Sequence, residues 1–270
     1  MTLPEIAEIR LFNQQLADPT ITSAVEMVEW FAAMQGQEYA QTKWGLGLRL
    51  PHLSDKDIEK ELNEGRILRT HLLRPTWHFV SANDIHWLLR LTAPRVHAAN
   101  AYMYRMLEMD NTFFNRCSNI LVKTLEVGKH LNRNDINTEL KKNKLITEGF
   151  RLAYILMYAE LEGIICSGAK QGNQQTYALL DERVKHKRIF DKEEALAELA
   201  NRYFRSRSPA TVADMATWSG LTINDCRKGI EAIQGQLQKE VIGQKEYFLY
   251  PENGLNRKQR LKNASVANIR

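Results

Sequence analysis

No stretch of this chain approaches the ~18 consecutive apolar residues that span a membrane. The N-terminus, with Glu5 and Glu8 close to Arg10, lacks the basic start and apolar core of an export signal. Neither an anchor nor export is expected. Cysteine is scarce: Cys117, Cys166 and Cys226 are odd in number, far apart and without C-x-x-C spacing, so neither a disulfide framework nor a zinc site is indicated. A reducing, cytoplasmic setting fits that usage. A glycine-rich phosphate loop, a metal-ligand cluster and a Ser-His-Asp constellation are also missing, and neither a metal nor a cofactor is expected.

Acidic residues are absent after Glu252, where Arg257, Lys258, Arg260, Lys262 and Arg270 make a basic tail. Those five charges account for the net charge of +5, because the rest of the chain is formally neutral. The overall charge is therefore weak evidence for a nucleic-acid partner, and the tail reads as a solvated end before it reads as a phosphate-binding arm. Local clusters say more: Arg66, Arg69, His71 and Arg74 surround one expected hairpin, and Arg183, Lys185, His186, Lys187 and Arg188 fall in an expected linker.

What is present is a soluble, globular composition, 44% hydrophobic and 26% charged, long enough for two or three small cores. Capping spacings open helices at Ser23-x-x-Glu26, Ser54-x-x-Asp57, Ser81-x-x-Asp84, Thr211-x-x-Asp214 and Thr222-x-x-Asp225. Short strand pairs are expected at 66–71 with 76–80, at 163–167 with 175–180, and at 237–242 with 247–250. Each pair follows two or three helices: those from Ser23, Tyr39 and Ser54; those over 114–127, 133–142 and 149–162; and those over 192–205, 210–218 and 222–234. Helices followed by a hairpin, three times over, is the order of tandem winged helices. The expectation is a mainly α chain with short β-hairpins (α+β): residues 1–110 with the bridging segment, 111–184, 185–252, and the tail 253–270.

One stretch concentrates the candidate chemistry, Ala33-Met34-Gln35-Gly36-Gln37-Glu38-Tyr39, continuing to Lys43-Trp44 and Arg49. The helix from Ser23 should carry Val25, Val28 and Phe31 on one face and close at Gly36 in the left-handed conformation. Gln35 and Gln37 flank that break, and in extended backbone both side chains point the same way. They are either solvated amides or a pair converging on a small polar target such as a water. Glutamine cannot take a proton near neutral pH, so such a pair can only position the water. Glu38 reads as a solvated acid before a general base. His78, between Trp77 and Phe79, reads as half-buried, or as turned toward a DNA face. Trp44 and Trp77 read as core before base-stacking groups. Lys43, Arg49, Arg69 and Arg74 are candidate phosphate contacts, each a surface charge by default.

The run Met34 to Arg49 resembles the Gln-x-Gln signature of the AlkZ-like (YcaQ-like) DNA glycosylases. Further ordered blocks share the resemblance: Leu73-Arg74-Pro75-Thr76-Trp77-His78-Phe79-Val80, then Ala159 to Gly168, Thr176 to Arg183, and Arg202 to Thr211 with Trp218-Ser219-Gly220-Leu221-Thr222. Together they cover most of residues 5–250. The resemblance implies hydrolysis of alkylated purines, bulky or cross-linked adducts included, from double-stranded DNA; because neither a lysine nor an N-terminal nucleophile stands out, a monofunctional enzyme without strand cleavage is expected. Gln35 and Gln37 become the water-positioning pair, and Lys43, Arg49, Arg69, Arg74 and His78 the DNA-binding set. A cationic N7- or N3-alkylpurine is a good enough leaving group for positioning to suffice. The sequence departs from the family pattern at Gly36, where a hydrophobic residue is usual, and in lacking a C-terminal β-barrel. A monomer is expected. The alternative is a non-catalytic winged-helix DNA-binding regulator or interaction protein.

Overall fold

The structure, a computed structural model, describes residues 1–251, so the expected basic tail lies outside the described residues. The first group of elements is α1 (Leu3–Asn13), α2 (Ala24–Phe31), β1 (Met34–Gln35), α3 (Tyr39–Gly47), α4 (Asp55–Asn63), β2 (Ile67–Leu72) and β3 (Thr76–Ser81). A 22-residue helix, α5 (Ile85–Met106), leads to the second. That group comprises α6 (Asn111–Leu125), β4 (Leu131–Asn132), α7 (Arg133–Lys142), α8 (Arg151–Leu161), β5 (Ile165–Ser167), β6 (Thr176–Leu179) and the short α9 (Leu180–Arg183). The third comprises α10 (Lys192–Arg207), α11 (Val212–Ser219), α12 (Ile223–Ala232), β7 (Gln238–Ile242) and β8 (Lys245–Leu249). The expected recurrence of helices and then a hairpin is present: a mainly helical α+β chain in the winged-helix order.

Local chemistry sets most helix starts. Ser54 with Asp57, Thr211 with Asp214 and Asp191 with Glu194 form complete capping boxes, each worth about 1 kcal/mol. At Ser23 the serine accepts from the Glu26 N–H. The Ser81 spacing misled: α5 starts four residues later, and Ser81 Oγ donates instead to the buried Asp84 carboxylate, 2.9 Å away. Asp84 also accepts from Trp87 Nε1 at 2.9 Å and from Arg202 of α10, so an apparent cap is a buried polar node joining the first group to the third.

The first sheet, in the order β1-β3-β2, is antiparallel throughout. An antiparallel sheet commonly leaves one face to water; this one is covered on both. Ile67 and Phe79 pack with Met27, Val28, Phe31, Leu46, Ile58 and Leu62. Their neighbours Leu68 and Val80 turn the other way and join Trp87, Leu88, Leu196, Leu199, Phe204, Met215 and Phe248. The period-two alternation of side chains therefore fuses the first and third groups through one sheet. The second group has its own core, built on Phe114, Cys117, Leu121, Ile136, Leu140, Ile155 and Ile165.

Gly36 corrects an expectation. Helix α2 ends earlier, at Phe31, where Ala32 takes φ 61°, and residues 34–35 become an edge strand on β3, with Met34 opposite Phe79 and Gln35 opposite His78. Gly36 is not a left-handed cap. Its N–H donates to the Trp77 carbonyl at 2.7 Å, and a Cβ there would lie 3.0 Å from the Phe79 ring and 3.1 Å from the β3 backbone. Close approach, not conformational freedom, selects glycine at this point.

Candidate active site

The short strand β1 and the first turn of α3 present Gln35, Gln37, Glu38 and Gln41 to solvent along one wall of a cleft of about 490 Å³. Its other walls are Gln14 after α1, Phe31 and Ala33, Thr42, Gly45 and Arg49 of the α3 region, Arg207 at the end of α10 and Trp218 of α11. That volume lies within the roughly 300–1,000 Å³ of small-ligand sites.

The two glutamines are brought together but are not equivalent. The Gln37 side-chain oxygen faces the backbone N–H of Trp77 at 3.4 Å, which turns its NH2 end away. Gln35 is fixed by its backbone: it pairs with His78 in the sheet, and the Thr42 hydroxyl shares its proton between the carbonyls of Gln35 (2.9 Å) and Glu38 (2.8 Å). The Gln35 amide has no protein partner among the described residues, so its oxygen is free to accept.

Arg69 holds the loop from behind. Its Nε donates to the Gly36 carbonyl at 2.8 Å and its Nη2 to the Gln37 carbonyl at 3.1 Å. The guanidinium lies 4.3 Å from the centre of the Trp77 ring, a cation–π contact that fixes its plane. Trp77 Nε1 in turn reaches the buried Glu160 at 3.4 Å, and Glu160 also binds His71 Nδ1. A polar chain thus runs from α8 to the carbonyls around the glutamines. Burial lowers the pKa of Arg69 from its ordinary value, but an arginine remains charged at neutral pH.

The remaining expected contacts separate. Arg49 lines the cleft, donating from Nε to the Gln14 carbonyl and from Nη1 to the Gly45 carbonyl, both at 2.7 Å. Lys43 does not offer its charge outward: it is buried, with Nζ 2.8 Å from Asp55 and 2.6 Å from Glu59. Burial alone would lower its pKa, but those two carboxylates raise it instead. His78 is also interior, 1% exposed, its Nδ1 on the Thr76 carbonyl and its Nε2 without a partner; burial drives its pKa down to about 3. A neutral imidazole inside a strand makes no phosphate contact. Arg74 sits at the β2–β3 turn, which packs on Gly220 after α11. Trp44, expected in the core, is 68% exposed with Leu48 one helical turn away, whereas Trp77 is half-buried against His71.

Gln14, Gln41, Arg207 and Trp218 were not singled out from sequence. Gln41 was within reach of such reasoning, since it falls in the first turn of the helix expected from Tyr39, directly after the loop. The others arrive through packing of distant segments; Arg207 and Trp218 stand in blocks that carry the family resemblance, which by itself gives them no role. Among the described residues no group of three or more His, Cys, Asp or Glu could hold a metal ion, and no helix is long and apolar enough to cross a membrane.

Comparison with known proteins agrees with this architecture. A search of curated proteins gives no significant match. Among solved structures, DNA glycosylase AlkZ of Streptomyces sahachiroi superposes with a TM-score of 0.80 over 97% of this chain and 72% of that one, at 17% sequence identity, a likeness of fold. The family described as DNA glycosylase AlkZ-like matches residues 28–267. That match takes in the glutamine loop, Arg69, Arg207 and Trp218, and the chain belongs to the AlkZ-like DNA glycosylase family.

Proposed function

We propose that the protein is a monofunctional glycosylase that hydrolyses the N-glycosidic bond of N7- or N3-alkylated purines in double-stranded DNA, with Gln35 and Gln37 as the water-positioning pair. The observation that carries this reading is the placement of both amides on one wall of an open cleft, one oriented by the Trp77 N–H and the other unengaged. The Gln35 oxygen accepts a hydrogen bond from the water and aims its lone pair at C1′, while the Gln37 NH2 donates to the same water or to the sugar. The C1′–N bond breaks with its electron pair on the departing nitrogen, which neutralises the cationic base. The water oxygen bonds to C1′, its proton passes to solvent, and an abasic site remains.

No strong base is required, because the positive charge of the alkylpurine makes the leaving group good before the enzyme acts. The protein contributes orientation, which is worth several kcal/mol when the reacting atoms are held in line. Among the expected DNA contacts, Arg49 lines the same cleft and Arg69 holds the Gln37 carbonyl, while Arg74 sits at the hairpin turn. A duplex carrying N7-methylguanine, read as alkali-sensitive abasic sites, tests the reading. Release above the spontaneous rate that falls at least ~10-fold, about 1.4 kcal/mol, in Gln35→Ala or Gln37→Ala is the expected result. DNA binding without release would instead make the protein a winged-helix regulator.

A further inference from the structure

Two guanidinium groups line the glutamine cleft with no carboxylate of their own. Arg207 donates from Nη1 to the Phe31 carbonyl (3.1 Å) and to Ser206 Oγ (2.8 Å), and from Nη2 to the Ala33 carbonyl (3.3 Å). Arg49 is held by the Gln14 and Gly45 carbonyls. Among the described residues neither makes an ion pair. Arg202, five residues before Arg207 on the same helix, shows the contrast, because Asp84 and Glu198 both bind it. A cation withdrawn from water is costly unless an anion accompanies it. The carbonyls at the C-terminal end of α2 supply part of that compensation to Arg207. The rest of its charge faces the cleft.

Aromatic rings fix both groups in place. The Arg207 Cζ lies 4.2 Å from the centre of the Trp218 ring and 5.1 Å from that of Phe31, and the Arg49 Cζ is also 5.1 Å from the Phe31 ring. With their faces on one shared ring, the two guanidinium groups have edge N–H donors left for a ligand, the geometry that suits phosphate oxygens. Burial, with the Arg49 charge adding to it, brings Arg207 down to about 9, and burial lowers Arg49 from its ordinary value. The ionisable lining of the cleft is these two cations and one carboxylate, Glu38. One phosphodiester would bring that wall to neutrality.

We propose that Arg207 and Arg49 form a phosphate subsite that grips a single backbone phosphate beside the target nucleotide. This rests on the reading of the cleft as the glycosylase site and adds its register on the strand. The subsite also removes an electrostatic conflict: with the phosphate in place, a cationic purine enters a neutral cleft rather than facing two arginines.

The test is a binding experiment that needs no turnover. Duplexes carrying a central tetrahydrofuran abasic analogue have one phosphate at a time replaced by a neutral methylphosphonate, and are titrated with the wild type, Arg207→Gln, Arg49→Gln and the double variant, each first checked for its melting temperature. At one position the replacement should weaken wild-type binding about 10-fold while weakening the double variant less than about 2-fold, the non-additivity of groups in contact. Should Arg207→Gln fail to fold, Arg49→Gln carries the same comparison. Additive losses at every position, or a flat scan with the wild type protected by inorganic phosphate alone, would overturn the proposal. Coupling without base release from N7-methylguanine would retain the subsite and remove the glycosylase reading; release without coupling would do the reverse.

Discussion

Arg69 and Gly36 are joined by a 2.8 Å hydrogen bond from the Arg69 Nε to the Gly36 carbonyl, and the same guanidinium reaches the Gln37 carbonyl at 3.1 Å. The residue between the two glutamines is thus held by its carbonyl on one side and by its N–H, on Trp77, on the other. Arg69 spends donors on the loop that a pure phosphate contact would keep for DNA.

Replacing Arg69 with lysine keeps a charge but loses the planar fork whose Nε and Nη2 reach the Gly36 and Gln37 carbonyls separately. Single-turnover base release should slow by about 10- to 100-fold with KM within about threefold of wild type, the pattern of lost orientation rather than lost binding. A raised KM with unchanged kcat would show that Arg69 serves the DNA backbone instead.

Gly36→Ala places a methyl group 3.0–3.1 Å from the Phe79 ring and the β3 backbone. Strand β1 should lift away, at a cost of about 1–3 kcal/mol. Urea unfolding measures that cost, and base release should fall further than the stability loss explains because both glutamines move. An unchanged urea midpoint would mean that β1 shifts without strain.

Asp84 is fully buried and bound by Ser81, Trp87 and Arg202. Asp84→Ala leaves Arg202 buried beside a lost counterion and should cost about 3–5 kcal/mol. Asp84→Leu combined with Arg202→Met should cost less than Asp84→Ala alone, since neither charge is stranded. Equal losses in the urea midpoints would show that the pair acts only through packing.

His78 predicts an acid-side stability loss. Burial lowers its pKa in the fold to about 3, against 6.5 in the unfolded chain, so protons bind the unfolded state first as pH falls through 6.5. Its contribution is complete above pH 6.5 and is lost progressively toward pH 3. Between pH 7 and pH 5 the wild type should therefore lose about 2 kcal/mol more than His78→Gln. Parallel unfolding curves for the two proteins would show that His78 is hydrated.

Much of the fold was legible because its signals are local. The capping pairs at Ser54 and Thr211, and the strand pair expected at 237–242 with 247–250, depend on residues a few positions apart, and their elements formed, the last strand two residues earlier than expected. The Ser81 spacing had the same form and failed, because Arg202 and Trp87 compete for Asp84 in the interior, where the carboxylate is worth more than at an exposed helix start. The helix end expected at Gly36 failed for a related reason: β3 offered the backbone a sheet partner before the glycine was reached.

The candidate site divides the same way. The sequence limited the chemistry open to the loop, since two neutral amides can orient a water but cannot deprotonate it. It also determined that both stand on one short segment of backbone. The tertiary structure alone decided what surrounds them. Lys43 met Asp55 and Glu59 and turned inward, Trp44 remained outside, and Arg207 and Trp218, some 170 to 180 residues later in the chain, came to face Gln35 and Gln37. A charge or a ring takes its role from the groups that replace its water. Lys43 meets its carboxylates only 12 and 16 residues on, at and within the next helix, whereas Arg207 and Trp218 lie far along the chain and reach the cleft through the packing of both faces of the first sheet.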